Sequence, residues 1–267
     1  MLVTTSQEAS SLRQGLVGAW CPSLPNGGSG NLVIDQSGFG NNGVLTNMAA
    51  DDWVSSQYGR ALDFDGVDDL VEVPFRFNST GLISFWYRGV TEPGTAIYLG
   101  NKSTIATAIY LGQNTTNSLS NELITFSNSV GGLVSIYGYT TATRTELFNN
   151  NWHHIAVALR LVNTAPEIYL DGSSKTISSG SSSLTSWSIG SSSGTTLQFG
   201  AQNFGSNSFF MTGQLDDIRV YNRVLSDFEI RLLASRPGIG LRQDRDRQTF
   251  YQFSSGARRR RILTGMP

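Results

Sequence analysis

The chain has 267 residues, 39% apolar and only 15% charged, with a formal net charge of −1. That length supports one large core in a single domain with tails, and the abundance of Ser, Thr, Asn and Gly excludes a mainly helical bundle in favour of short strands joined by polar turns. The single cysteine, Cys21, excludes an intramolecular disulfide, and no stretch approaches the roughly 18 to 20 apolar residues of a membrane span, so membrane insertion is not expected.

In chain order, the start MLVTTSQEASSLRQ has neither a basic opening nor an apolar run, which predicts a chain without a signal peptide, made and kept inside a cell or released by lysis. Period-two alternation bounded by Gly, Asn and Asp predicts strands over 61–65, 70–73, 82–87, 96–99, 108–111, 123–127, 133–137, 154–161, 167–170, 197–201 and 213–221. So many strands suit two packed sheets better than one flat one. Asp171-Gly172 predicts a tight hairpin turn, since this pair adopts the positive φ values such turns need. Residues 178–196 read as a long Ser/Gly/Thr surface loop with one buried short strand around Trp187 and Ile189.

One helix is legible, opened by the capping box Ser226-Asp-Phe-Glu229, buried through Ile230, Leu232 and Leu233, and stopped by Pro237. The expected division is an extension over 1–11, one domain over 12–236 and a basic arm over 237–267. That arm holds seven Arg against two Asp, a local +5, so the remaining 236 residues sum to −6. An acidic domain with a basic tail implies that the two meet different surfaces.

Three patterns in order resemble the laminin-G-like, concanavalin A-like lectin/glucanase jelly rolls: Gly15-Leu-Val-Gly-Ala-Trp20 leading to Asp35-Gln-Ser-Gly-Phe-Gly-Asn-Asn-Gly43; Ala61-Leu-Asp-Phe-Asp-Gly-Val-Asp-Asp69; and the run from Gly213 to Ser226. Asn151-Trp152-His-His-Ile155 and Ile168-Tyr-Leu-Asp-Gly172 supply the family's usual middle. The resemblance covers roughly residues 12–236 and implies an all-β, two-sheet antiparallel sandwich with a short C-terminal helix. Trp20, Phe64, Phe85, Trp86 and Trp152 are expected in the core.

The resemblance also implies a structural calcium ion, with Asp35, Asn41, Asn42 and Asp216 matching the family's ligand positions. Asp216 has the parity of Ile218 and is expected to point inward, while Asp35 and Asn41 are equally suited to making turns. Cys21-Pro22 stands where the family commonly has an aspartate, which weakens the expected site. No Glu-x-Asp-x-Glu strand of the glucanase type occurs, Asp63, Asp65, Asp68, Asp69 and Glu72 read as acids at or near a turn, and Cys21 with His153 and His154 does not form a nucleophile and base. The chain is therefore expected not to be an enzyme.

Two non-catalytic functions fit. A looser resemblance to virion-associated jelly rolls of tailed phages implies a capsid decoration or head-surface protein, assembled in the host cytoplasm. Its arm residues Arg242, Arg245, Arg247, Phe250, Tyr251, Phe253, Arg258, Arg259, Arg260 and Arg261 would dock on a major capsid protein or a second copy, with direct nucleic acid binding not expected. The alternative is a lectin holding host or mucus glycans through Tyr137, Tyr139 and Trp187. A glycoside hydrolase comes third.

Overall fold

Strands that alternate apolar and polar residues can each bury one face, and the molecule satisfies them by stacking two antiparallel sheets. The structure is a computed structural model describing residues 10–75, 81–90, 94–101, 105–112, 122–130, 133–140, 144–159, 165–177, 179–182, 196–203 and 206–241. With strands numbered in chain order, the eight-stranded sheet runs β15 (Ser173–Lys175), β14 (Glu167–Leu170), β13 (His153–Ala158), β8 (Leu82–Arg88), β20 (Thr212–Tyr221), β6 (Gly59–Asp65) and β5 (Trp53–Ser56), with β1 (Leu16–Trp20) also paired to β20. The ten-stranded sheet runs β16 (Ser179–Ser182), β12 (Leu133–Thr140), β11 (Glu122–Val130), β10 (Ile105–Leu111), β9 (Gly94–Asn101), β17 (Thr196–Phe199), β7 (Leu70–Val73), β4 (Gly43–Thr46), β3 (Leu32–Val33) and β2 (Gly28–Ser29). A small ribbon, β18 (Gln202–Asn203) with β19 (Asn207–Ser208), stands apart from both.

The main core lies between the sheets. Phe85, Ile155, Ile218 and Val220 of the eight-stranded sheet meet Val71, Ile97, Ile109, Phe126 and Phe199 of the other. Trp20 anchors it, its ring edge-on to Phe75 (5.7 Å) and Phe199 (5.2 Å). Phe64 and Phe85 join this core, whereas Trp86 is buried on the opposite, outer face of β8 and Trp152 is only half-buried.

A second core covers the outer face of the eight-stranded sheet. The helix Asp227–Leu233 lays Ile230, Leu232 and Leu233 over Leu82, Ala156 and Tyr169. Its capping box forms as expected: the Glu229 amide donates to Ser226 Oγ and the Ser226 amide to Glu229 Oε2. The packed unit does not stop at residue 236. Ile239 and Leu241 are buried in the same cluster, the Gly238 amide donates to Asp217 Oδ2 (2.8 Å), and Arg13 donates to the Leu241 carbonyl (3.1 Å). Residues 237–241 thus belong to the sandwich, and 242–267 of the basic arm lie outside the described residues.

The Asp171-Gly172 turn forms as the sequence predicts, with φ of 52° and 74° between β14 and β15. Its carboxylate is then used twice, accepting from the His154 amide (2.9 Å) and facing His153 Nδ1 (2.8 Å).

Candidate functional site

The outer face of the ten-stranded sheet carries the most unusual group of side chains among the described residues. Register places Gln198, Tyr98 and Ala108 in one row across β17, β9 and β10, and Thr95, Tyr110 and Thr125 in the next row across β9, β10 and β11. Tyr98, Ala108 and Tyr110 form a small buried cluster of their own, separate from the inter-sheet core. The ribbon lies over these rows: Tyr110 donates to Gln202 Oε1 (2.7 Å), Gln202 Nε2 to Ser208 Oγ (3.4 Å) and Gln198 Nε2 to Asn207 Oδ1 (3.4 Å). The ribbon's own approach is close, since the Thr95 amide donates to the Phe209 carbonyl (3.0 Å).

Within this face Thr95 Oγ1, Thr125 Oγ1 and Gln198 Oε1 are buried and have no hydrogen-bond partner among the described residues. Each such group costs on the order of 1–3 kcal/mol if nothing bonds to it. Two hydroxyls and an amide oxygen beside two phenol rings therefore ask for a partner rich in both donors and acceptors. Burial also pushes the Tyr98 phenol up to about 12 and the Tyr110 phenol up as well, so both remain neutral donors at any physiological pH.

The expected metal ligands form two separate arrangements. Asp35 is the hub of the first: Oδ1 accepts from the amides of Ala19 (3.0 Å) and Ser37 (2.9 Å), and Oδ2 from the Asn41 amide (2.9 Å) and Asn41 Nδ2 (3.3 Å). Asn42 Oδ1 in turn accepts from the Asp35 amide (3.0 Å). Asp216 belongs to the second. A bulge in β20, with Asp217 at φ 48°, pairs Asp216 with Trp86 and so puts it on the outer face of the eight-stranded sheet, not inward with Ile218. Its Oδ1 accepts from the amides of Ser23 (3.2 Å) and Asp217 (2.8 Å), while Oδ2 is buried without a partner among the described residues. Burial first and Asp217 second push its carboxyl up to about 7.

Calcium takes six to eight oxygen ligands. The side-chain oxygens of Asp35 and Asn42 already accept from N–H donors, and the backbone carbonyl of Asn41 accepts from Trp20 Nε1 (2.7 Å). As folded, the Asp35 arrangement is a turn clasp whose carboxylate is already bonded to backbone amides.

Tyr139 is half-buried against the inter-sheet core, its hydroxyl donating to Glu146 Oε2 (2.8 Å) and its ring lying 5.3 Å from the Lys175 ammonium, so both of its recognition surfaces are engaged. Tyr137 pairs with Phe126 in β12, and its side chain, like Trp187 and the arm residues from Arg242 to Arg261, lies outside what is described. Asp65, Asp68 and Asp69 cluster at the turn after β6, where Asp65 Oδ1 accepts from the Val67 amide (2.7 Å) and Asp69 Oδ2 from the Asp65 amide (2.9 Å). These bonds shape a turn. His154 is wholly buried, and desolvation holds its imidazole down to about 4, while burial pushes the Cys21 thiol up; no hydrogen bond joins the two among the described residues.

The sequence model of the concanavalin A-like lectin/glucanases superfamily matches residues 65–231. The chain belongs to that superfamily. Among solved structures of the superfamily's fold, domain 4 of AbnA, a GH43 extracellular arabinanase from Geobacillus stearothermophilus in complex with arabinotriose, superposes with a TM-score of 0.59 at 15% identity, covering 82% of this chain and 98% of that one. The binding domain of botulinum neurotoxin DC in complex with SialylT gives 0.52 at 17%, covering 84% and 52%, and that of Paraclostridial Mosquitocidal Protein 1 gives 0.53 at 16%, covering 84% and 52%. This chain spans about half the length of those toxin domains. No curated protein matches the chain. At these identities the likeness shows the fold.

The rows on the ten-stranded sheet were not anticipated from sequence. A signal for them exists: the hexapeptide Thr-Ala-Ile-Tyr-Leu-Gly occurs twice, at 95–100 and 107–112. Its two copies form the β9–β10 hairpin, with both isoleucines in the core and both tyrosines outside it.

Proposed function

We propose that this chain is a non-catalytic carbohydrate-binding module whose binding face is the outer surface of the ten-stranded sheet beneath the β18–β19 ribbon. The carrying observation is the trio of unpartnered buried atoms on Thr95, Thr125 and Gln198 around Tyr98 and Tyr110. Sugar hydroxyls donate and accept at once and so match such a set, while the phenol rings supply apolar faces for the C–H side of a sugar. The saccharide complex of the AbnA domain supports the same reading. A glycan array on the full-length protein, run beside a reducing-sugar assay, tests it: binding without sugar release is expected, and release of reducing sugar or failure to bind any glycan overturns it.

A second role is compatible, since the basic arm follows directly on Leu241, buried on the outer face of the other sheet. The sugar face and the root of the arm therefore lie on opposite sides of the sandwich. We propose that the arm docks the module on a virion surface, leaving the glycan face free. Cosedimentation with capsids tests this, comparing the full chain with one ending at Leu241. Binding that survives the truncation overturns it.

A further inference from the structure

Charge on the proposed binding face selects among glycans. None of the ten strands of that sheet contains a Lys, Arg or His, and the only ionisable acids in them are Glu72 and Glu122. The cations of the sandwich that strands carry, Arg60, Arg88, Lys175 and Arg219 with His153 and His154, all belong to the other sheet. Glu72 stands next to the face, its Oε2 accepting from Gln198 Nε2 at 3.5 Å. An acidic sugar arriving here would meet Gln198 Oε1, an acceptor, and the Glu72 carboxylate. It would lose its hydration with no counter-ion on the described strands of this sheet to replace it, which costs several kcal/mol per buried charge.

We infer that the ligand of this face is an uncharged saccharide, held by Thr95, Thr125 and Gln198 and stacked on the Tyr98 and Tyr110 rings, and that sialylated, uronic and sulfated glycans are rejected. This rests on the carbohydrate-binding reading above. The rows cross β17, β9, β10 and β11, three inter-strand spacings or roughly 14 Å. A span of that width suits an oligosaccharide better than a single sugar. Because the rows are buried, the ribbon has to lift or shift for the sugar to enter, releasing the Tyr110 to Gln202 bond.

The test uses the full chain and a panel of neutral oligosaccharides (arabino-, xylo-, gluco- and galacto-series) beside sialylated, uronic and sulfated counterparts, with Thr95→Val, Thr125→Val and Tyr110→Phe variants. Valine keeps the shape of threonine and removes only the hydroxyl. Since those hydroxyls have no partner among the described residues, each Val variant should melt no lower than the parent while losing neutral-glycan affinity about tenfold, which corresponds to about 1.4 kcal/mol. Binding only of charged glycans overturns the inference and leaves the carbohydrate reading standing. Neutral binding that ignores all three variants overturns the assignment of the site. Binding of no glycan at all overturns the carbohydrate reading itself.

Discussion

Asp35 shows what a single carboxylate does in this sandwich. Its two oxygens gather amides from Ala19, Ser37 and Asn41, tying the end of β1 to the loop that follows. Asp35→Ala should cost about 1.5–3 kcal/mol in chemical denaturation, because charged acceptors are lost and buried amides orphaned. A chelator should leave the melting temperature unchanged, since the same bonds occupy the oxygens that calcium would need; a drop of several degrees would restore the metal. On the outer face of the eight-stranded sheet two titrations oppose each other across Trp86, which pairs with both His154 and Asp216. His154 is depressed from 6.5 to about 4 by burial, so the unfolded chain takes its proton first and stability falls on acidification through that window. Asp216 is raised from 3.8 to about 7, so the folded chain holds the proton longer and stability falls as pH rises through that window. Asp216→Asn removes the second slope. Melting curves of that variant should rise more steeply between about pH 4 and 6.5 than those of the parent, and parallel curves would refute the assignment. The residue identities of the Asp35 clasp were legible in the sequence, but the direction of Asp216 was not. A one-residue bulge at Asp217 resets parity, and parity counting assumes an unbroken ladder.

At the scale of elements, strands and helix were readable because alternation and capping are local properties. Leu82–Arg88, Ile105–Leu111 and Thr212–Tyr221 each extend the expected run by only a few residues. The packing of the segment after the helix is not legible in sequence, since Pro237 and Gly238 look like a boundary while Ile239 and Leu241 are buried by residues far away in sequence. A chain ending at Ser235 should therefore lose roughly 3–6 kcal/mol, two buried aliphatic side chains at about 1.5–3 kcal/mol each, whereas one ending at Leu241 should keep the parent's stability. Equal melting of the two truncations would contradict the anchoring of Gly238 on Asp217. The helix start has its own pH signature. Glu229 accepts from Arg223 and from the Ser226 amide, which holds its carboxyl down to about 2, Arg223 being the larger cause. Stability should then fall as pH drops from 4.5 to about 2, and Arg223→Gln should shrink that fall.

For the whole molecule, the two outer faces have divided roles. One sheet carries the sandwich's strand-borne cations and is covered by the helix and the segment 237–241. The other carries no basic residue in its strands and holds a neutral, hydroxyl-rich patch under a two-stranded ribbon. Sequence patterns made the sandwich legible but not this division, because which residues share an outer face, and what covers them, depends on the order of strands across each sheet. The tyrosines singled out from sequence, Tyr137 and Tyr139, lie two strands over from Tyr110 and three from Tyr98. A crystal structure of the full-length protein with the neutral oligosaccharide it binds best is the most direct test of this account. Saccharide hydroxyls within hydrogen-bonding distance of Thr95, Thr125 and Gln198 beneath the β18–β19 ribbon are predicted; a saccharide seated on the Asp35 loop or on the eight-stranded sheet would contradict it.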